Sequence, residues 1–146
     1  MKMHLNLATR SLDNSVAFYS TLLGAQPFKK LDDYALFVTE KPGLELALDL
    51  SPDATAGQGQ HFGIVVDSPE AVEEQIARLQ TAGYLLDIER EETCCYAVQT
   101  KVWATDPDGR RWETYFVHEE SEARDNDETT CCRTDADIAA GSSCCA

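Results

Sequence analysis

Long apolar runs are missing from this chain of 146 residues. None approaches the roughly 20 residues a membrane-crossing helix needs. The opening Met1-Lys2-Met3-His4-Leu5 lacks the apolar segment of a secretion signal. Basic residues are scarce, 12 Lys and Arg against 26 Asp and Glu, for a formal net charge of −14. Nucleic-acid binders need a basic footprint, and none is present. These absences predict a cytoplasmic protein that engages neither membrane nor nucleic acid. Histidine occurs only three times, so each copy is a candidate for a specific task. Isolated cysteines are also missing. All six stand in adjacent pairs, Cys94–Cys95, Cys131–Cys132 and Cys144–Cys145. Neighbouring Cα atoms sit about 3.8 Å apart, closer than an ordinary disulfide prefers. In a reducing cytoplasm such pairs read as ligands for a soft partner.

The length suits one domain, and the charge divides the chain unevenly. Residues 1–118 hold 18 acidic and 10 basic side chains, whereas residues 119–146 hold 8 and 2. Periodicity stops at about Glu119, and acidic and small polar residues take over, a composition that predicts disorder. The expected organisation is a folded domain over 1–118 and an acidic, cysteine-containing tail over 119–146.

Within the domain one pattern occurs twice. His4–Thr9 alternates as a strand. Leu12, Val16, Tyr19 and Leu23 then recur at helical spacing, with Gly24 as a stop. Strands are expected over 27–31, 34–39 and 44–50, the last two separated by Pro42–Gly43. After a linker at Thr55–Gln60, His61–Asp67 starts the pattern again. Ser68 and Pro69 open a second helix, with Val72, Ile76 and Leu79 as its buried stripe and Gly83 at its end. Strands over 85–90, 101–105 and 111–117 complete it, the last pair joined by the Asp106-Pro107-Asp108-Gly109 turn. The offset from His4 to His61 is 57 residues, and so is that from Ser11 to Ser68. The fold class is therefore α+β, with tandem βαβββ modules over about 1–54 and 61–118. Each sheet buries one face beneath its helix and leaves the other for a site.

Strand parity places His4 and His61 on the faces away from the helices, because Leu5 and Leu7, and Phe62, Ile64 and Val66, take the helix side. Glu113 interrupts an otherwise aromatic and β-branched strand, where a carboxylate is costly unless paired or coordinated. Two imidazoles and a carboxylate on strands form the donor set of non-haem iron(II) sites, which keep positions open for oxygen and substrate. Zinc or manganese suits similar donors. Singly, each histidine reads more simply as a satisfied polar residue, and Glu113 as a partner of Arg110 or Arg111. His118 has the opposite parity from Glu113 and reads as a surface residue.

Together, His4, His61, Glu113 and the Thr93-Cys94-Cys95-Tyr96 segment resemble the vicinal-oxygen-chelate superfamily. Within it they resemble the ArsI-type carbon–arsenic lyases and the related cadmium-induced CadI proteins. The resemblance covers about residues 3–118 and implies four candidate ligand positions, on strands one, four, five and eight. Aligning Pro42–Ala47 with Asp108–Glu113 sets Ala47 opposite Glu113, which favours a three-ligand oxygenase pattern over a four-ligand isomerase. A shifted alignment would bring in Glu45 as a fourth ligand. By the resemblance, His4, His61 and Glu113 hold Fe(II), and Cys94 and Cys95 hold arsenic from a loop able to close over the cavity. The substrates implied are a trivalent organoarsenical and O2, with methylarsenite yielding arsenite and formaldehyde. Tyr96, Gln99 and Lys101 are candidates to shape the pocket, although loop residues are more often simply solvated. Cys131, Cys132, Cys144 and Cys145 are candidates for product or metal capture. The alternatives are a non-catalytic cadmium- or arsenite-sequestering protein, or another dioxygenase or thiol transferase of this fold. Homodimerisation stays open.

Overall fold

The computed structural model describes residues 2–57, 61–94 and 96–122. In the first half it contains β1 (Met3–Thr9), α1 (Leu12–Leu23), β2 (Lys29–Lys30), β3 (Tyr34–Glu40) and β4 (Gly43–Leu50). The second half repeats the order with β5 (His61–Val65), α2 (Pro69–Thr81), β6 (Leu86–Cys94), β7 (Ala97–Thr105) and β8 (Arg111–Glu120). The sheets have matching orders, β1-β4-β3-β2 and β5-β8-β7-β6, each with a parallel pair at one edge. The expected tandem βαβββ architecture is therefore present.

Boundaries shift where pairing overrides local composition. The strand expected over 27–31 shrinks to Lys29–Lys30, paired with Leu36 and Ala35. β6 and β7 extend towards each other, so Cys94 pairs with Ala97 in a hairpin. The loop expected between them, able to close over the cavity, gives way to this strand pairing. At the other end, Ala97 pairs with Glu120 and the Ser121 N–H donates to the Tyr96 carbonyl. β8 thus runs two residues past the expected domain end. Gly24 ends α1 with φ +61°, a left-handed conformation glycine adopts without steric cost. Ser68 caps α2 by accepting the Ala71 N–H.

One core spans both modules. Leu7, Phe18, Tyr19, Phe37, Leu46 and Leu48 from the first join Leu79, Ala104 and Trp112 from the second. Phe18 sets its ring edge-on to both Tyr19 and Tyr84, and Trp112 stacks on Phe62. Each such side chain contributes about 1.5–3 kcal/mol when fully buried. A polar seam fixes the join. The Tyr19 hydroxyl donates to Asp106 Oδ2 at 2.7 Å and accepts the Trp112 indole N–H. Arg110 donates to Asp106 and to the Ala8 carbonyl, while Arg10 donates through its backbone and side chain to Asp108. The turn between β7 and β8 is thereby tied to the end of β1. Helices and seam occupy one side of the sheets, and the opposite faces carry the candidate site.

Candidate metal and thiol site

The register defines what stands on the free faces. In the first sheet His4 pairs with Glu45, and Asn6 with Ala47. In the second His61 pairs with Arg111, and Gly63 with Glu113. Asn6 and Gly63 each lie two residues beyond their histidine, so Ala47 is the structural counterpart of Glu113. Glu45 corresponds instead to Arg111. It nevertheless stands beside His4, with Oε2 3.7 Å from Nδ1.

His61 and Glu113 form the better-built half of the site. His61 Nε2 lies 3.7 Å from Glu113 Oε1, a gap a divalent cation can span because its bonds to such donors are about 2.1 Å. Gly63 makes room beneath the carboxylate: a Cβ there would meet Glu113 Oε1 and a Tyr115 ring carbon, both at 3.1 Å. The other carboxylate oxygen, Oε2, accepts from Lys101 Nζ at 3.1 Å. The donor types and space fit a divalent metal at His61 and Glu113.

The chain does not bring His4 to them. Among the described residues no group of three or more His, Cys, Asp or Glu side chains is close enough to hold a metal ion. His4 lies on the other sheet, its side chain 59 % exposed, while that of His61 is 43 % exposed. Each sheet carries one candidate pair, His4 with Glu45 and His61 with Glu113.

The thiol candidate falls next to the second pair. Cys94 is fully buried, and Lys101 Nζ lies 3.6 Å from its Sγ. One buried ammonium, 3 % exposed, therefore touches both Cys94 and Glu113. Cys94 is disulfide-bonded in this structure, so thiolate chemistry at this position requires reduction. Gln99 braces the hairpin by donating to the Cys94 carbonyl at 3.0 Å. Tyr96 is half-exposed beside the hairpin end, with φ +67°. His118 bonds the Thr100 hydroxyl and stands outside the site. Cys95, Cys131, Cys132, Cys144 and Cys145 lie outside the described residues.

Sequence reasoning missed the aromatic wall. Trp103 pairs with Glu113 across β7 and β8 and presents its ring edge-on to His61, centroids 5.2 Å apart. The Arg111 guanidinium lies over the same ring at 4.2 Å. Strand parity would have found Trp103 once Lys101 was placed facing the site, because residues two apart share a face.

Among the described residues no helix is long and apolar enough to cross a membrane. A profile of the Glyoxalase/Bleomycin resistance protein/Dioxygenase superfamily matches residues 3–114. A Bacillus subtilis protein named probable trivalent organoarsenical cleaving enzyme is 38 % identical over 143 residues, spanning 98 % of both chains. A Thermomonospora curvata trivalent organoarsenical cleaving enzyme is 35 % identical, spanning 99 % of both. The cadmium-induced protein CadI of Mycobacterium bovis is 38 % identical, spanning 97 % of this chain and 98 % of its own. The Alicyclobacillus acidocaldarius crystal structure of a glyoxalase/bleomycin resistance protein/dioxygenase shares the fold with a TM-score of 0.66. It is 20 % identical and covers 82 % of this chain and 92 % of its own. With its paired βαβββ modules and a profile match over most of its length, the chain belongs to the Glyoxalase/Bleomycin resistance protein/Dioxygenase superfamily.

Proposed function

We propose that this protein cleaves the carbon–arsenic bond of trivalent organoarsenicals, using Fe(II) and O2. The observation that carries the proposal is Lys101, whose ammonium contacts both the Cys94 sulfur and the Glu113 carboxylate. A sulfur that on reduction suits a soft, thiophilic centre and a carboxylate suited to a divalent metal thus share one buried point. Full-length relatives named for organoarsenical cleavage support the substrate class.

In this reading His61 and Glu113 of one copy, with His4 of a second, hold the iron. His4 and His61 stand at or next to the starts of equivalent strands, and both stand on sheet faces left exposed by the chain's own packing. A two-fold pair of copies would set each His4 half-site against the partner's His61–Glu113 half-site. Each dimer then completes two sites.

Bound Fe(II) would supply the activation of dioxygen that no side chain can perform. The protein's own residues do the rest. Reduced Cys94, with Cys95, binds arsenic as thiolates and so fixes the direction of its carbon substituent. Lys101 supplies positive charge between the thiolate and Glu113 and limits their mutual repulsion. Trp103 and Arg111 wall the second sheet's side of the site. Methylarsenite and dioxygen together contain every atom of arsenite and formaldehyde. Carbon is oxidised, dioxygen is reduced, and arsenic stays trivalent without an added reductant.

A second reading, prompted by the cysteine pairs and by a relative named as cadmium-induced, is sequestration of a soft cation by the same thiols without turnover. Reduced protein supplied with Fe(II), air and methylarsenite separates the two. Catalysis releases formaldehyde over many turnovers, whereas sequestration stops once the three cysteine pairs are filled and releases none.

A further inference from the structure

Glu89 is a buried carboxyl with no part in the chemistry above. It is 7 % exposed and pairs across the sheet with Lys101, on the site face. Its Oε1 accepts the Trp103 indole N–H at 3.0 Å. Its Oε2 is buried without a hydrogen-bond partner among the described residues. Burial raises its pKa, partly opposed by the Lys101 charge and the Trp103 hydrogen bond, while Asp87 and Glu92 raise it further. Burying a carboxyl costs free energy that an apolar residue would not incur. Among its described contacts, the one that gives it a specific task is Trp103, itself 2 % exposed.

Trp103 joins Glu89 to the metal half-site. Its ring stands perpendicular to His61, interplanar angle 78°, and carries Arg111 on its face. An indole can pivot about its side-chain bonds, and any rotation would remove the surface against which His61 rests. A hydrogen bond at Nε1 stops that rotation because it fixes the far end of the ring.

We propose that Glu89 is a positioning residue for the metal site, acting through Trp103 to hold the His61 imidazole in its ligating orientation. This rests on the reading of His61 as a metal ligand. Residues that orient metal-binding histidines typically contribute about 10–100-fold in metal affinity. Glu89 acts through its hydrogen bond with Trp103 rather than as a ligand.

The test is Co(II) and Fe(II) titration of reduced full-length protein, with thermal unfolding as the control for folding. Glu89→Leu, which removes the acceptor, should weaken metal binding by about tenfold or more. Glu89→Gln keeps an acceptor oxygen and should bind close to wild type. Trp103→Phe keeps a ring but loses the N–H, and should match Glu89→Leu. Because the two act in series, the double variant should be no weaker than either single one. Wild-type affinity in folded Glu89→Leu, or fully additive losses in the double variant, would overturn the proposal. If Glu89→Leu does not fold, wild-type affinity in Trp103→Phe overturns it instead. Should wild-type protein bind neither cation, the ligand reading fails by itself. The His61 ring signals in the NMR spectrum then decide Glu89: displacement in Glu89→Leu with wild-type positions in Glu89→Gln supports positioning, and unchanged signals in Glu89→Leu exclude it.

Discussion

Lys101 and Glu113 form a buried ion pair at 3.1 Å, with Lys101 also 3.6 Å from Cys94. A lone buried ammonium would be heavily penalised, and so would a lone buried carboxylate. Their pairing lets the protein keep both on a sheet face walled by Trp103. Removing the ammonium alone leaves Glu113 without its partner. Lys101→Met should therefore destabilise the fold by about 3–5 kcal/mol in the absence of metal. A metal at Glu113 would recover part of that loss. Chemical denaturation with and without Fe(II) or Co(II) measures both effects. Equal destabilisation in the two conditions would separate Lys101 from the metal site.

Gly63 supplies a second handle on the same carboxylate. A methyl group there would sit 3.1 Å from both Glu113 Oε1 and the Tyr115 ring. Gly63→Ala should keep the fold, since the strand conformation suits alanine, but displace Glu113 and weaken metal binding by about tenfold or more. Metal titration and a crystal structure of the variant check this. Unchanged affinity would show that Glu113 Oε1 is not a donor.

The separation of His4 from His61 and Glu113 makes a prediction for mixtures. Chains carrying His4→Ala and chains carrying His61→Ala should each be inactive. Co-refolded at equal amounts, they should regain about a quarter of wild-type activity, because half of randomly paired dimers are mixed and each holds one intact site. No recovery, in a mixture shown to exchange subunits, would place the complete site within one chain.

The seam between modules contributes to acid stability through Asp108. Burial alone would raise the Asp108 pKa, but hydrogen bonds from Thr9 and Arg10 and the Arg110 charge outweigh it and hold the carboxyl below its ordinary value. A depressed carboxylate stabilises the fold above its unfolded pKa of about 3.9. That contribution is lost as pH falls through the lower, folded value. Asp108→Asn should thus lose about 1–3 kcal/mol at neutral pH and show a flatter acid limb. Urea unfolding across the acid range reads both. Parallel wild-type and variant curves below pH 5 would remove Asp108 from the acid transition.

The fold was legible because both modules obey period rules. Alternation in β1 and β5 set the buried faces, and the Gly24 and Ser68–Pro69 signals marked helix ends. The equivalence of Ala47 and Glu113 was likewise readable, from the turns preceding each strand. What escaped the sequence was long-range. Nothing local says that the helices pack together and hold His4 away from His61. Nor does residue type alone distinguish Trp103 as a wall of the site from Trp112 in the core; only the register does. The hairpin at Cys94 extended because cross-strand pairing with Ala97 outweighed a loop-like composition.

Thiol placement separates catalysis from storage. Cys94→Ser with Cys95→Ser should retain Fe(II) binding at His61 and Glu113 but lose arsenical binding and cleavage. A chain ending near Glu120, without the other four cysteines, should keep both activities. Arsenite released per enzyme, at equal iron and reductant, compares the three proteins. A dead truncated chain beside an active Cys94/Cys95 double variant would move substrate binding to residues 121–146.

The most direct measurement is product stoichiometry. Reduced protein loaded with Fe(II) is supplied with methylarsenite in a sealed oxygen-electrode cell, and arsenite, formaldehyde and dioxygen consumption are followed together. Carbon–arsenic cleavage by this route predicts equal amounts of all three over many turnovers, and no products without iron or in air-free buffer. Methylarsenite bound tightly with no formaldehyde released, or arsenite formed without oxygen uptake, would contradict it.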